Sequence, residues 1–123
     1  MVKFEYRELT ESILKKIILD GVEFSPSIKK VGLIGSYARN TQTKTSDVDL
    51  IIDIEDHLFN NMLSEFGRFV EHILDYQFNK KLDIVRYNLA RKRAFEDCEN
   101  LENWYFREGY EQMLREVRWL YER

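Results

Sequence analysis

Two short runs dense in β-branched residues, IKKVGLI at 28–34 and DVDLIIDI at 47–54, are separated by about a dozen residues with no full helix between them. Gly35 ends the first run. A connection this short suits a turn-back as well as a crossover, so a sheet built on these strands need not be parallel. A third run, KLDIVR at 81–86, also reads as a strand. Helical spacing surrounds them. Leu9, Ile13, Leu14, Ile17 and Ile18 predict a helix from Leu9 to Asp20, with Thr10 as a cap and Gly21 as a stop. Ser36 to Asn40 can open a short helix, and Thr41 to Ser46 reads as a loop. Apolar stripes then predict helices over Leu58–Tyr76, Ala90–Asn100 and Trp104–Tyr121. The expected class is α/β or α+β: a small mixed β-sheet flanked by helices, in one domain spanning residues 1–123.

Composition narrows the function. With 44% of its residues hydrophobic, including aromatic residues that make up 14% of the chain, it can build a core without disulfides. A net charge of -3 argues against a stable, non-specific grip on nucleic acid, which needs a basic surface. The single cysteine, Cys98, cannot form an internal disulfide, which points to a reducing compartment. Its neighbours Glu96, Asp97 and Glu99 disfavour a thiolate. The first residues, MVKFEYRELTESIL, carry closely spaced charges and no apolar signal core, and no stretch has membrane-spanning length. The expectation is a cytoplasmic protein that does not enter a membrane.

Three features carry chemistry. Gly35-Ser36 sits between a strand and a helix start, where backbone N–H groups suit phosphate oxygens; as plain structure it is a turn with Ser36 as N-cap. Asp47 and Asp49 are two apart on a strand, so both carboxylates emerge on one face. Like charges held so close repel, and a divalent cation with a taste for hard oxygen, Mg²⁺ above all, removes that cost. Their structural reading is a solvated strand end. Asp83 lies in an otherwise apolar strand, where a charge needs a partner: a metal, or Lys80, Lys81 or Arg86. Each feature is weak alone, but the combined spacing, Gly-Ser, ten residues, then Asp-x-Asp, is far more specific.

The run VGLIGSYARNTQTKTSDVDLII resembles the minimal nucleotidyltransferase domains of the DNA polymerase beta superfamily. Their pattern is a strand, Gly-Ser, a short helix with Ala-Arg-Gly, a loop, and Ser-Asp-x-Asp-Leu on the next strand. Gly35, Ser36, Ala38, Arg39, Ser46, Asp47, Asp49 and Leu50 match it, and Asp83 fits the place of a third carboxylate. Asn40 stands where the family usually has glycine, and asparagine tolerates left-handed torsions better than most residues. The resemblance covers about residues 9–87 and leaves a helical C-terminal part, about 88–123, without a motif.

This resemblance implies a polymerase-beta-like fold and transfer of a nucleoside monophosphate from a nucleoside triphosphate such as ATP. It implies Asp47, Asp49 and Asp83 as catalytic metal ligands for two Mg²⁺ ions, and Gly35, Ser36 and Arg39 as nucleotide contacts. Arg39 has an equal structural reading, an ion pair with a nearby acid. Domains this small also resemble the antitoxin half of bacterial toxin–antitoxin pairs, which implies a small helical HEPN-type toxin as partner and a tyrosine on it as acceptor. A catalytically idle antitoxin and a nucleotide-sensing subunit are the alternatives, and a homodimer is left open. No G-x-x-x-x-G-K-[ST] loop and no C-x-x-C pair is present, and His57 and His72 lack metal-ligand spacing. Asp53 shares the parity of Asp47 and Asp49 but reads as a strand-end acid. Near the C-terminus, Phe106, Tyr110, Met113, Leu114, Val117 and Tyr121 form a helical stripe suited to packing on the sheet. Trp104, Tyr105 and Trp119 fall off that stripe, as exposed aromatics at a protein interface would.

Overall fold

The computed structural model describes residues 10–43, 46–59, 65–75, 81–95 and 101–123, with the side chains of 65, 75 and 101–106 left out. Cys98, Lys44 and Thr45 lie outside these residues, as do the side chains of Trp104, Tyr105 and Phe106. The elements run α1 (Glu11–Val22), β1 (Lys30–Ile34), α2 (Gly35–Arg39), β2 (Val48–Asp53), α3 (Asp56–Phe59), α4 (Glu65–Asp75), β3 (Leu82–Arg86), α5 (Tyr87–Ala94), α6 (Leu101–Glu116) and β4 (Arg118–Glu122). The strands form a mixed sheet in the order β3-β2-β1-β4. β1 turns back antiparallel onto β2, as a connection with no full helix allows, and β2 pairs parallel with β3 across α3 and α4.

The parity of β2 decides what goes where. Val48, Leu50 and Ile52 face α1 and α4, in a core completed by Leu14, Ile17, Ile18, Phe66, Phe69 and Ile73. The opposite parity carries Ile51, which packs with Ile34, Ala90, Val85 and the α6 residues Tyr110, Met113 and Leu114. Asp49 shares that parity with Ile51. So one strand presents an unbroken apolar edge to one helical layer, and an acid followed by an apolar residue to the other.

Several boundaries differ from the sequence-based expectation. Thr10 caps α1 as expected, its Oγ1 accepting from the Ile13 N–H at 3.2 Å. Gly21 does not stop the helix, which runs on through Val22. Gly21 is instead where α4 comes close, for a Cβ there would stand 3.0 Å from Phe69 and from His72. The His72 ring also bonds the Ile17 carbonyl, so this histidine ties two helices together. His57 is an exposed residue beside Glu55.

The larger correction is at the C-terminus. The expected helix to Tyr121 ends at Glu116, and Arg118–Glu122 becomes a fourth strand against β1. The C-terminal part is therefore not purely helical. Trp119 is not a free aromatic: it packs edge-on to Tyr87 at 5.3 Å, with the Lys30 ammonium 5.1 Å from its ring centroid. Tyr121 leaves the helical stripe for the core on the other sheet face, whereas Tyr110, Met113, Leu114 and Val117 cover the sheet as expected.

β4 needs a close fit where its register with β1 shifts, between Val31 and Gly32. A Cβ on Gly32 would lie 2.7 Å from Val117 and 3.0 Å from Trp119. Gly32→Ala should therefore cost about 1–3 kcal/mol by overpacking. Urea unfolding checks this, and adding Val117→Ala should restore part of the loss.

Candidate active site

Register brings the predicted residues together. Ile34 pairs with Asp49 across β1 and β2, and Asp49 pairs with Asp83 across β2 and β3. Gly35, next after Ile34, is thereby set against Asp49. Its φ of 70° is open to glycine and costly for other residues. A Cβ at Gly35 would fall on the Asp49 Oδ2 atom. Gly35 is thus glycine for two independent reasons: the left-handed bend that turns β1 into α2, and the carboxylate beneath it.

The short helix that follows ends as the motif requires. Asn40 takes φ 60° and ψ 35°, the left-handed conformation at a helix C-terminus where glycine is commonest. Asparagine thus does the backbone work of the missing glycine. In the loop beyond, the Ser46 hydroxyl accepts from the Thr43 N–H at 2.8 Å, an anchor one residue before Asp47. Tyr37 points away from the site into the core, with 3% of its surface exposed.

Asp49 is the electrostatic centre. Its pKa lies above its ordinary value of 3.8, first because the carboxyl is partly removed from water, then because Asp83 and Asp47 repel its charge. A side-chain hydrogen bond to Asp83 adds to this, while Lys81 opposes it. Asp83 is 44% exposed and has Lys81 Nζ at 3.6 Å, the partner its structural reading named. Among the described residues, no three Asp, Glu, His or Cys side chains are gathered as an ion cage. The direct contact is the Asp49–Asp83 pair, and Asp47 acts on it through charge. Asp53, at the other end of β2, pairs in register with Lys30.

Beside the pair lies an open cavity of about 440 Å³. Ile34, Gly35, Arg39, Asp49 and Val85 line one side; Gly109, Gln112, Met113 and Glu116 of α6 line the other. Of the predicted site residues the lining includes Gly35, Arg39 and Asp49, and not Ser36, Asp47 or Asp83. Arg39 Nη1 binds Glu116 Oε2 at 3.1 Å, and Gln112 Nε2 binds Glu116 Oε1 at 3.1 Å. These bonds, Gln112's first, hold the Glu116 carboxyl below its ordinary pKa. Both ion-pair partners are partly exposed, so Glu116→Gln should leave the melting temperature almost unchanged. The α6 residues escape sequence reasoning, since no motif marks them. The only trace is Gly109, a glycine inside a helix.

Two proteins of Methanocaldococcus jannaschii, both named provisionally as protein adenylyltransferases, are similar to this chain. One is 34% identical over 61 residues, 50% of this chain and 58% of its own length. The other is 31% identical over 71 residues, 58% of this chain and 65% of its own. The matched part thus spans less than two thirds of either relative. Among solved structures, one described as a toxin–antitoxin with AMP-PNP has a TM-score of 0.48 and 16% identity, covering 82% of this chain and 86% of that one. Another, a provisional nucleotidyltransferase from Sulfolobus solfataricus, has a TM-score of 0.42 and 20% identity, covering 61% and 63%. The model of the nucleotidyltransferase domain family matches residues 14–108, which take in β1 to β3, the Gly35 bend, the acidic pair and much of α6. The chain belongs to that family.

Proposed function

We propose that this protein transfers a nucleoside monophosphate, AMP from ATP, to a hydroxyl on a protein acceptor in the cytoplasm. The acceptor we propose is a tyrosine of a small helical HEPN-type toxin, so that the protein acts as the antitoxin. The observation that carries the reading is that Asp49 and Asp83 stand level on neighbouring strands under the Gly35 bend. Two carboxylates held side by side are costly to ionise together, and a hard divalent cation between them would find oxygen donors ready. The residues therefore fit Mg²⁺, with Asp47, Asp49 and Asp83 as the ligands for two ions. Bound there, Mg²⁺ neutralises charge on the attacking and leaving oxygens of an in-line displacement.

The chain's own residues do the rest. Gly35 and Ser36 offer backbone N–H groups and a hydroxyl to the terminal phosphates, and Arg39 lines the cavity wall with Gly35. The acceptor oxygen attacks the α-phosphorus, the bond to the β-phosphate oxygen breaks, and pyrophosphate leaves. Asp83 favours loss of the acceptor hydroxyl's proton. A protein acceptor is supported by the names of the two M. jannaschii relatives. The HEPN-type partner is supported by the likeness of the motif region to minimal, antitoxin-type domains. Among the described residues no helix is long and apolar enough to cross a membrane.

The test is the intact mass of the helical partner after incubation with this protein, ATP and Mg²⁺. Addition of one or more AMP groups is expected, lost in Asp49→Ala. An unmodified partner that is nonetheless neutralised, by wild type and by Asp47→Ala plus Asp49→Ala alike, would replace the enzyme with a contact-only antitoxin.

A further inference from the structure

The reading above leaves the α6 wall of the cavity without a role. Gly109 lies inside α6, where glycine weakens a helix relative to alanine. Its φ is not positive, for Gly35 is the only glycine with that conformation among the described residues. Nothing lies within 4 Å of where its Cβ would stand. So neither backbone conformation nor close packing requires glycine at this position. What the missing side chain does is widen the cavity that ends at Gly35 and Asp49.

The surroundings of that gap are amphiphilic. Met113, Ile34 and Val85 are apolar, while Gln112 brings an amide. The amide is held, because its Nε2 donates to Glu116, which Arg39 grips from α2. Apolar surface beside a held polar cluster, Gln112 with the Arg39–Glu116 pair, offers both the stacking area and the hydrogen-bonding groups that a heterocycle and its sugar need. Its volume, about 440 Å³, also falls in the usual range for a small-molecule site.

We propose that the α6 wall takes the nucleoside half of the triphosphate, which lies over Gly109 with Gln112 hydrogen-bonding its polar edge. This rests on the nucleotidyltransferase reading, which assigns the phosphates to the Gly35 end. The test compares α,β-methylene-ATP with inorganic tripolyphosphate, both titrated by calorimetry in Mg²⁺ into wild type, Gly109→Leu and Gln112→Leu. Gly109→Leu should melt no lower than wild type, because leucine is the better helix former. It should weaken the nucleotide analogue about tenfold by filling the slot, while tripolyphosphate affinity stays as in wild type. Gln112→Leu should weaken only the nucleotide, by a smaller factor. Unchanged analogue affinity in Gly109→Leu would overturn the inference and leave the parent reading standing. Failure of wild type to bind either probe would overturn both.

Discussion

Asp49→Asn is expected to make the protein harder to unfold and to abolish its transfer activity. The carboxyl of Asp49 is held above its ordinary pKa by partial burial and by the charges of Asp83 and Asp47. The folded state therefore binds a proton more tightly than the unfolded chain does. Between the ordinary value of 3.8 and the raised one, stability falls as pH rises, and above the raised value the full penalty persists. Asparagine cannot ionise, so the variant escapes the penalty. Its advantage should be absent at the acid end and grow towards neutral pH. Because the site is partly exposed and screened by solvent, a modest rise in melting temperature is expected near pH 7. Activity should fall in the same variant by about 10³-fold or more, the scale of losing a main electrostatic stabiliser of the transition state. Melting curves at several pH values and pyrophosphate release check the two halves. A variant less stable than wild type at neutral pH would show that the acid is a structural partner and not a functional burden.

Gly35→Ala has the largest expected effect on folding. Two costs add. Alanine at a φ of 70° is strained by about 1–2 kcal/mol, and its methyl group meets the Asp49 carboxylate, which overpacks the site by about 1–3 kcal/mol. A loss of roughly 2–5 kcal/mol is a large share of the 5–15 kcal/mol that typically holds a domain folded. Denaturant titration reads it directly. The two costs can be separated, because Asp49→Ala clears the steric part and leaves the torsional one. A double-mutant cycle should thus give a coupling of about 1 kcal/mol or more between Gly35 and Asp49. Purely additive losses would mean that the bend and the carboxylate do not touch.

The two effects explain why part of this site is visible in the sequence. Gly35 and the acid pair are fixed by local rules: a left-handed bend wants glycine, and a strand puts alternate residues on one face. Strands β1 to β3 and the short helix between β1 and β2 are legible for the same reason, since each is written in contiguous residues. That Asp49 lies level with Asp83 is a matter of register between strands distant in sequence. Family resemblance suggested that neighbourhood; periodicity alone could not. β4 is not legible in the sequence because the stretch RWLYE is short and apolar enough to continue a helical stripe, and only the open edge of β1 makes it a strand. The α6 side of the cavity was hidden more deeply. Which face of a helix meets a cleft is decided by packing, and Gln112 and Glu116 look in sequence like any exposed polar pair.

The mixed sheet also explains why the acids remain reachable. Ile51 and Val85 continue β2 and β3 on the same face as Asp49 and Asp83, and α6 covers that apolar part. At the acidic end the helix stands off, and the cavity opens between them. The Arg39–Glu116 pair spans the gap from α2 to α6. Burial of the apolar half and exposure of the acidic half are thus set by one alternation along two strands.

The most direct test of the Asp49–Asp83 pair as a cation-holding site is a Mn²⁺ titration followed by electron paramagnetic resonance, with α,β-methylene-ATP present throughout. Wild type should remove Mn²⁺ from the free pool beyond what the nucleotide binds alone, and Asp49→Asn plus Asp83→Asn should not. Equal uptake by wild type and the double variant would contradict the account.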